Sequence, residues 1–456
     1  ALSFAQERVW LHDQLDPASR LHNIPVLIRF LEPVDPGALR AALLELGERH
    51  SVLTSRIFVS GGRLVQAAVP GATIPFEVRS VMEVADAAAR DREAESIVQA
   101  EVWRNFDLER GEVARALLVF ISETESLFML VQHHIVTDGW SVSLLVSELA
   151  HLYVSQREGT PHRLPPPQMQ YAEFARRQRH QLAEGDLDEQ LRYWRRQLAG
   201  GPRLNLVGDL GSSPSLKGGT RDAVISGRVH HQLCALATAY STTPFVVLLA
   251  ALNLLIARRT DESDVVVMSP LVDRPTEEVH AALGCFLNIL PLRTTLAEQM
   301  TFGALVRLTR ATVLGAMDNA SAPLEHIAAD IYPGRRGGER APSNILVNAF
   351  ELTEDDVCLP GVASRAHAIQ GMTPRTELAF YLSIRRDGVR CRLVYDSGLF
   401  SASSMGELMA QYMLLLGDVL GNPHDLIWRY SMVTPQAASM LPNPLRPLTS
   451  EDAPSV

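Results

Sequence analysis

Two adjacent histidines, His133 and His134, with Asp138 four residues after the second and Gly139 beside it, are the residues in this sequence best suited to chemistry. An imidazole titrates near neutral pH, so it can accept a proton from a hydroxyl or amine, or hold that group in line by a hydrogen bond. Asp138-Gly139 is turn chemistry that places a carboxylate at a sharp bend. Trp140 and Ser141 follow with an aromatic face and a hydroxyl. Each part alone has a bland reading. A lone histidine at a strand end is more often structural than catalytic, Asp-Gly is a common turn, and Trp140 is expected in core packing. The full string His-His-x-x-x-Asp-Gly is much rarer than its parts.

The surrounding pattern positions these groups. The run 127–131 reads as a buried strand, and Val142, Leu145, Val146 and Leu149 follow helical spacing, with that helix ending near Tyr153. The histidines therefore sit where a strand ends before a turn and a helix, the usual place for chemistry in α/β proteins. Upstream, Ser3 and Gln6 make a capping box for a first helix whose outward residues include Glu7 and Asp13. Asp35-Pro36 starts a second helix, with Leu39, Leu43 and Leu46 on one face. Strands over 56–59 and 64–69 meet across Gly61-Gly62, and 114–121 pairs with the motif strand.

After a proline-rich break at 162–167 comes a charged helical stretch, 171–198. From Arg221 the element style begins again: strand, helix, helix, then a Val-rich strand over 264–268. The run 245–257 is a buried helix with Thr243 as N-cap and Pro244 first, too short to span a bilayer. Strands over 344–350 and 389–395 and a helix over 401–421 follow. The expected division is a first lobe at 1–170, a second at 171–435, and a linker or disordered tail at 436–456.

The chain has 456 residues, 46% hydrophobic and 21% charged, with a net charge of −10. That composition is ordinary for a soluble globular protein, and no basic stripe suggests a nucleic-acid partner. Cys234, Cys285, Cys358 and Cys391 lie far apart without a Cys-x-x-Cys pair, so neither a zinc site nor a disulfide framework is expected. No signal peptide opens the chain, no membrane span is read, and a cytoplasmic location is the expectation.

Further segments appear in order around the motif. They are Ser3-Phe4-Ala5-Gln6-Glu7-Arg8-Val9-Trp10, Arg49-His50-Ser51-Val52-Leu53-Thr54-Ser55, Tyr171-Ala172-Glu173-Phe174-Ala175, and the run from Gly284-Cys285-Phe286-Leu287-Asn288 to Pro291-Leu292-Arg293. Together with the histidine motif they resemble the condensation-domain superfamily of nonribosomal peptide synthetases, related to chloramphenicol acetyltransferase. The resemblance spans roughly residues 1–430. Ser51 and Thr54 replace a usual Glu and Arg, and Pro323-Leu324-Glu325 keeps only the end of a later motif. The segment 340–350 matches loosely, and Tyr381 stands where many relatives carry Asp.

The resemblance implies an α/β (α+β) fold of two acetyltransferase-like lobes in a V-shaped pseudo-dimer around a central tunnel. It implies attack of an amine or hydroxyl on an acyl thioester, delivered on the phosphopantetheine arm of a peptidyl carrier protein, with no bound cofactor and no metal. The acceptor is a carrier-bound amino acid, a free amine or an alcohol. His134 is then the histidine that meets the nucleophile, and His133 braces it. Asp138 forms a structural salt bridge with Arg293 between the lobes, and the Gly139 N–H helps hold the oxyanion. Trp140 and Ser141 match the usual continuation. Asn288 and Asn348 place amides in the tunnel or satisfy backbone groups. Substrates are expected to enter from opposite faces, with the 284–293 segment as part of the tunnel floor.

Two alternatives remain: an epimerisation domain with the same motif, and a non-catalytic recruitment platform, whose members tend to lose the motif histidines. No Gly-Gly-x-Ser carrier signature appears, so the chain is either an excised domain or a free-standing enzyme like those of enediyne assembly. The drifted later motifs favour the free-standing type.

Overall fold

A computed structural model describes the chain apart from residues 16–19, 202–205, 207, 212–216, 332–342, 350–358, 360, 368–375 and 441–456. Two mixed sheets organise it. The first has the strand order Ser364–Ala366, Asn23–Phe30, Ser126–His133, Ala114–Phe120, Phe76–Ser80. The second has the order Gly218–Ser226, Gly388–Asp396, Leu378–Ile384, Ile345–Asn348, Asp264–Val272, Leu287–Thr295. The strand Ser364–Ala366 lies far beyond residue 170 in sequence, yet it pairs antiparallel with Asn23–Phe30 and extends the first sheet.

Local chemistry explains the elements that carry the site. The Ser3 N–H donates to Gln6 Oε1 and the Gln6 N–H to Ser3 Oγ, both at 3.1 Å, closing the capping box of the helix Phe4–Leu15. Gly61 and Gly62 take φ of 56° and 75°, the left-handed pair that a two-residue hairpin turn requires, and join Ser55–Ser60 to Arg63–Ala68. The strand Ser126–His133 is buried at every position, because it is central in its sheet and covered on both faces.

Several boundaries differ from expectation. The motif helix runs Gly139–Glu158, past Tyr153, because its stop is the left-handed Gly159 rather than the end of the apolar stripe. The stretch 171–198 is two helices, Tyr171–Ala183 and Asp188–Leu198, broken beside Gly185 at φ 82°. Thr243 precedes the helix Pro244–Thr260 but makes no side-chain capping bond. The tail begins with a short helix, Pro435–Met440, and the rest of it lies outside the described residues. Residues 340–342 and Phe350 of the 340–350 segment also fall outside.

The second sheet packs against Pro244–Thr260, whose residues Val246 to Ala257 are all buried. Within that apolar helix, the Asn253 amide donates to Thr294 Oγ1 at 3.2 Å. Among the described residues no single helix is long and apolar enough to cross a membrane.

Candidate active site

The motif histidines lie where Ser126–His133 leaves its sheet, with Asn23 opposite His133 in the register. The break is pinned by backbone bonds, His133 N–H to Val113 O at 2.8 Å and His134 N–H to His22 O at 2.7 Å. A short 3-10 turn, His134–Val136, then leads to Asp138 and the motif helix. Both imidazoles are buried, His133 at 3% and His134 at 7% exposure.

Their hydrogen bonds assign opposite tautomers. His134 Nδ1 is 2.7 Å from the Thr137 carbonyl, which can only accept. The neutral ring therefore carries its proton on Nδ1, and Nε2 is its lone-pair nitrogen. His133 Nδ1 accepts the Ile135 N–H at 3.2 Å, so its proton sits on Nε2, which is 2.9 Å from Asp13 Oδ2. Asp13 is thus turned to the motif rather than outward, because it lies on the face of its helix that covers the turn.

Asp138 does not pair with Arg293, which corrects the expected salt bridge. Asp138 caps the motif helix by accepting the Ser141 N–H on Oδ1 at 2.7 Å, and its Oδ2 accepts the Phe286 N–H at 2.8 Å. The cation facing it is Arg274, with Nη2 3.6 Å from Oδ1. Arg293 instead forks onto Asp264, at 2.6 Å for the shortest contact, and donates to the carbonyls of Gln197 and Ala199. The reason is length along the strand. Phe286 touches Asp138, and seven extended residues beyond it put Arg293 roughly 23 Å further on.

Arg274 is the residue that sequence reasoning missed. Its guanidinium donates to Ser141 Oγ at 2.8 Å and to the Val279 and Ala282 carbonyls, and lies 3.9 Å from the centre of the Phe286 ring. Burial pushes its pKa below the ordinary arginine value, and Asp138 opposes that shift. No periodicity marks it, since it sits in a loop after the strand Asp264–Val272.

The remaining expected site residues have structural partners. Ser141 is buried, with Oγ donating to Gly284 O at 2.8 Å and accepting the Gly284 N–H at 3.1 Å. Trp140 is 46% exposed rather than packed in the core, and its Nε1 donates to His280 O at 3.1 Å. Asn288 donates to the carbonyls of Ala320 and Ala322, both at 2.7 Å, and accepts the Ile289 and Leu324 N–H groups. Its amide is spent on backbone. Asn348 ends its strand half-buried, opposite Tyr381. Gly139 opens the motif helix and is not among the positive-φ glycines.

Gly284 is tightly constrained. A Cβ there would come within 1.9 Å of the Tyr171 ring. The Tyr171 hydroxyl donates to Cys285 O at 2.5 Å and is 2.6 Å from Ser3 Oγ, so the first helix, Tyr171 and the 284–286 segment are tied together behind Asp138. A small cavity beside this junction is lined by Phe4, Arg8, Asp273, Phe286, Asn288 and Glu325, and His134 is not in its wall. Among the described residues, no cluster of three His, Cys, Asp or Glu side chains could hold a metal ion.

Comparison with known proteins agrees with this architecture. The condensation-domain family matches residues 1–441. The beauvericin nonribosomal cyclodepsipeptide synthetase of Beauveria bassiana is 32% identical over 436 residues, which cover 93% of this chain and 13% of that protein. The X-domain from teicoplanin biosynthesis superposes with a TM-score of 0.83 at 22% identity, over 94% of this chain and 97% of that one. The first condensation domain of the calcium-dependent antibiotic synthetase, solved with a substrate analogue, gives 0.76 at 21% identity, over 94% and 99%. These likenesses show a chloramphenicol acetyltransferase-like fold, and the chain spans only a small part of the synthetase it resembles in sequence. It belongs to the condensation-domain family of nonribosomal peptide synthetases.

Proposed function

We propose that this chain transfers an acyl or aminoacyl group from a carrier-protein thioester to an amine or hydroxyl acceptor, with His134 as the catalytic residue. The observation that carries the reading is the Nδ1–H bond from His134 to the Thr137 carbonyl, which makes Nε2 the nitrogen able to accept from the acceptor's O–H or N–H. A thioester is already activated, so no acyl-enzyme is needed. Alignment, removal of one proton and support for the oxyanion suffice, with the Gly139 N–H at the start of the motif helix as the oxyanion donor. Asp138 acts on the helix cap and on Arg274 rather than on the His134 ring.

General-base help typically gives about 100- to 10,000-fold, whereas alignment of two bound reactants supplies roughly 7–11 kcal/mol. A good amine nucleophile therefore depends less on His134 than an alcohol does. On this reading the two substrates approach His134 from opposite sides, because two carrier arms cannot share one mouth.

The test is turnover of acyl-loaded carrier protein with panels of amines and alcohols, read by mass spectrometry. His134→Ala is expected to lower transfer to an alcohol at least about 100-fold, and transfer to an amine by less. Full turnover of the alcohol by that variant would reject the assignment. If the unaltered protein moved an α-proton without joining two substrates, epimerisation would replace condensation. If it did neither yet bound a partner enzyme, it would be a recruitment platform.

A further inference from the structure

We infer that Asp13 is a positioning residue for His134, acting through His133. The inference rests on the catalytic reading of His134 above, but its geometry stands on its own. The backbone of Ile135, directly after His134, is held at both its N–H and its carbonyl through the helix Phe4–Leu15. Its carbonyl accepts from Gln6 Nε2 at 3.2 Å. Its N–H donates to His133 Nδ1 at 3.2 Å, and the far side of that ring is 2.9 Å from Asp13. Gln6 and Asp13 are seven residues apart, two turns along one helix face.

The carboxylate decides the tautomer of His133. With the proton on Nε2, the ring donates to Asp13 and accepts from Ile135. With the proton on Nδ1, two donors would face each other at Ile135 and a lone pair would face the carboxylate. Both contacts would become repulsive, and the 3-10 turn bearing His134 would lose its N-terminal cap. An acid in the last turn of a helix is unfavourable to the helix dipole. Its presence at Asp13 therefore needs an explanation outside the helix, and the His133 contact supplies one.

The experiment compares Asp13→Leu, which removes the acceptor at similar size, with Asp13→Asn, which keeps a carbonyl that can accept from Nε2–H. Kinetics of acyl transfer and the imidazole nitrogen and proton resonances of His133 and His134 are recorded on the same samples. Asp13→Leu is expected to lower kcat about tenfold, the worth of one buried hydrogen bond, with KM within about twofold. Asp13→Asn should restore most of the loss. In a His133→Ala background, Asp13→Leu should have no further effect. In the spectra, His133 should hold Nε2–H and His134 a protected Nδ1–H, and both signatures should be lost in Asp13→Leu.

Unchanged resonances in Asp13→Leu, or an equal loss of kcat in the His133→Ala background, would overturn the inference. Were the unaltered protein to show no transfer at all, the catalytic reading would fall, and the resonances would still decide whether Asp13 fixes the two rings.

Discussion

Two of the arginine–aspartate pairs in this chain, Arg274 with Asp138 and Arg293 with Asp264, are built from the same groups and do different work. The second is the closer, at 2.6 Å against 3.6 Å, and the more open, with side chains 18% and 21% exposed against 4% and 1%. Distance alone would rank Arg293 first. Burial reverses the order, because charges removed from water are costly to leave unmatched, whereas partly hydrated ones fall back on solvent. Asp138 also caps a 20-residue helix and receives the Phe286 N–H, so one carboxylate joins the motif turn, the motif helix and the 274–286 segment. Asp264 joins neighbouring strands, and its partner Arg293 reaches on to a helix end.

The largest effect is expected at the buried pair. Removing one partner, by Asp138→Ala or Arg274→Met, should destabilise the fold by about 3–5 kcal/mol in denaturant titration. The double variant Asp138→Asn/Arg274→Met should be milder than Arg274→Met alone, since Asn keeps a helix cap and no bare charge is left. A double variant at least as unstable as the single would break the argument.

Arg293→Ala should cost less, about 1–2 kcal/mol, because water reaches the fork it vacates. In a double-mutant cycle Arg293 should couple to Asp264 and not to Asp138. Measurable coupling between Arg293 and Asp138 would restore the pairing expected from the motif resemblance.

A third cluster sharpens the comparison at a smaller scale. Glu148, on the motif helix, is reached by Arg49 at 2.9 Å and by His50 at 2.9 Å. Burial disfavours its charge, but the hydrogen bonds from His50 and Arg49 outweigh burial and hold its pKa below 4.5. A carboxylate lowered in the folded state adds stability above its unfolded pKa and loses it as pH falls through the folded value. Stability measured from pH 6 downward should therefore decline below about pH 4.5, and Glu148→Gln should flatten part of that decline. An identical pH profile in the variant would remove Glu148 from the account.

Local signals explain what could be read from the chain. The strand, turn and helix around His134 were legible because alternation, Asp-Gly and helical spacing are properties of neighbouring residues. The hairpin at Gly61-Gly62 and the Ser3–Gln6 box were legible for the same reason. The partner of Asp138 was not, since it is set by where the distant strand Asp264–Val272 ends, and the motif resemblance pointed to an arginine too far along. Asp13 looked like one more polar residue on an amphipathic helix. Ser364–Ala366 is too short and too polar to carry a period, so its place in the first sheet is visible only in three dimensions.

That strand has a consequence for synthesis. Ile28, Arg29 and Phe30 pair with Ala366, Arg365 and Ser364, residues that leave the ribosome more than three hundred positions later. At roughly 5–20 residues per second, the first sheet waits tens of seconds with one edge of Asn23–Phe30 unpaired. An open edge of that kind is a template for pairing with other chains. The nascent first half thus carries an edge in need of shielding, and the arrival of Ser364–Ala366 covers it at Ile28, Arg29 and Phe30.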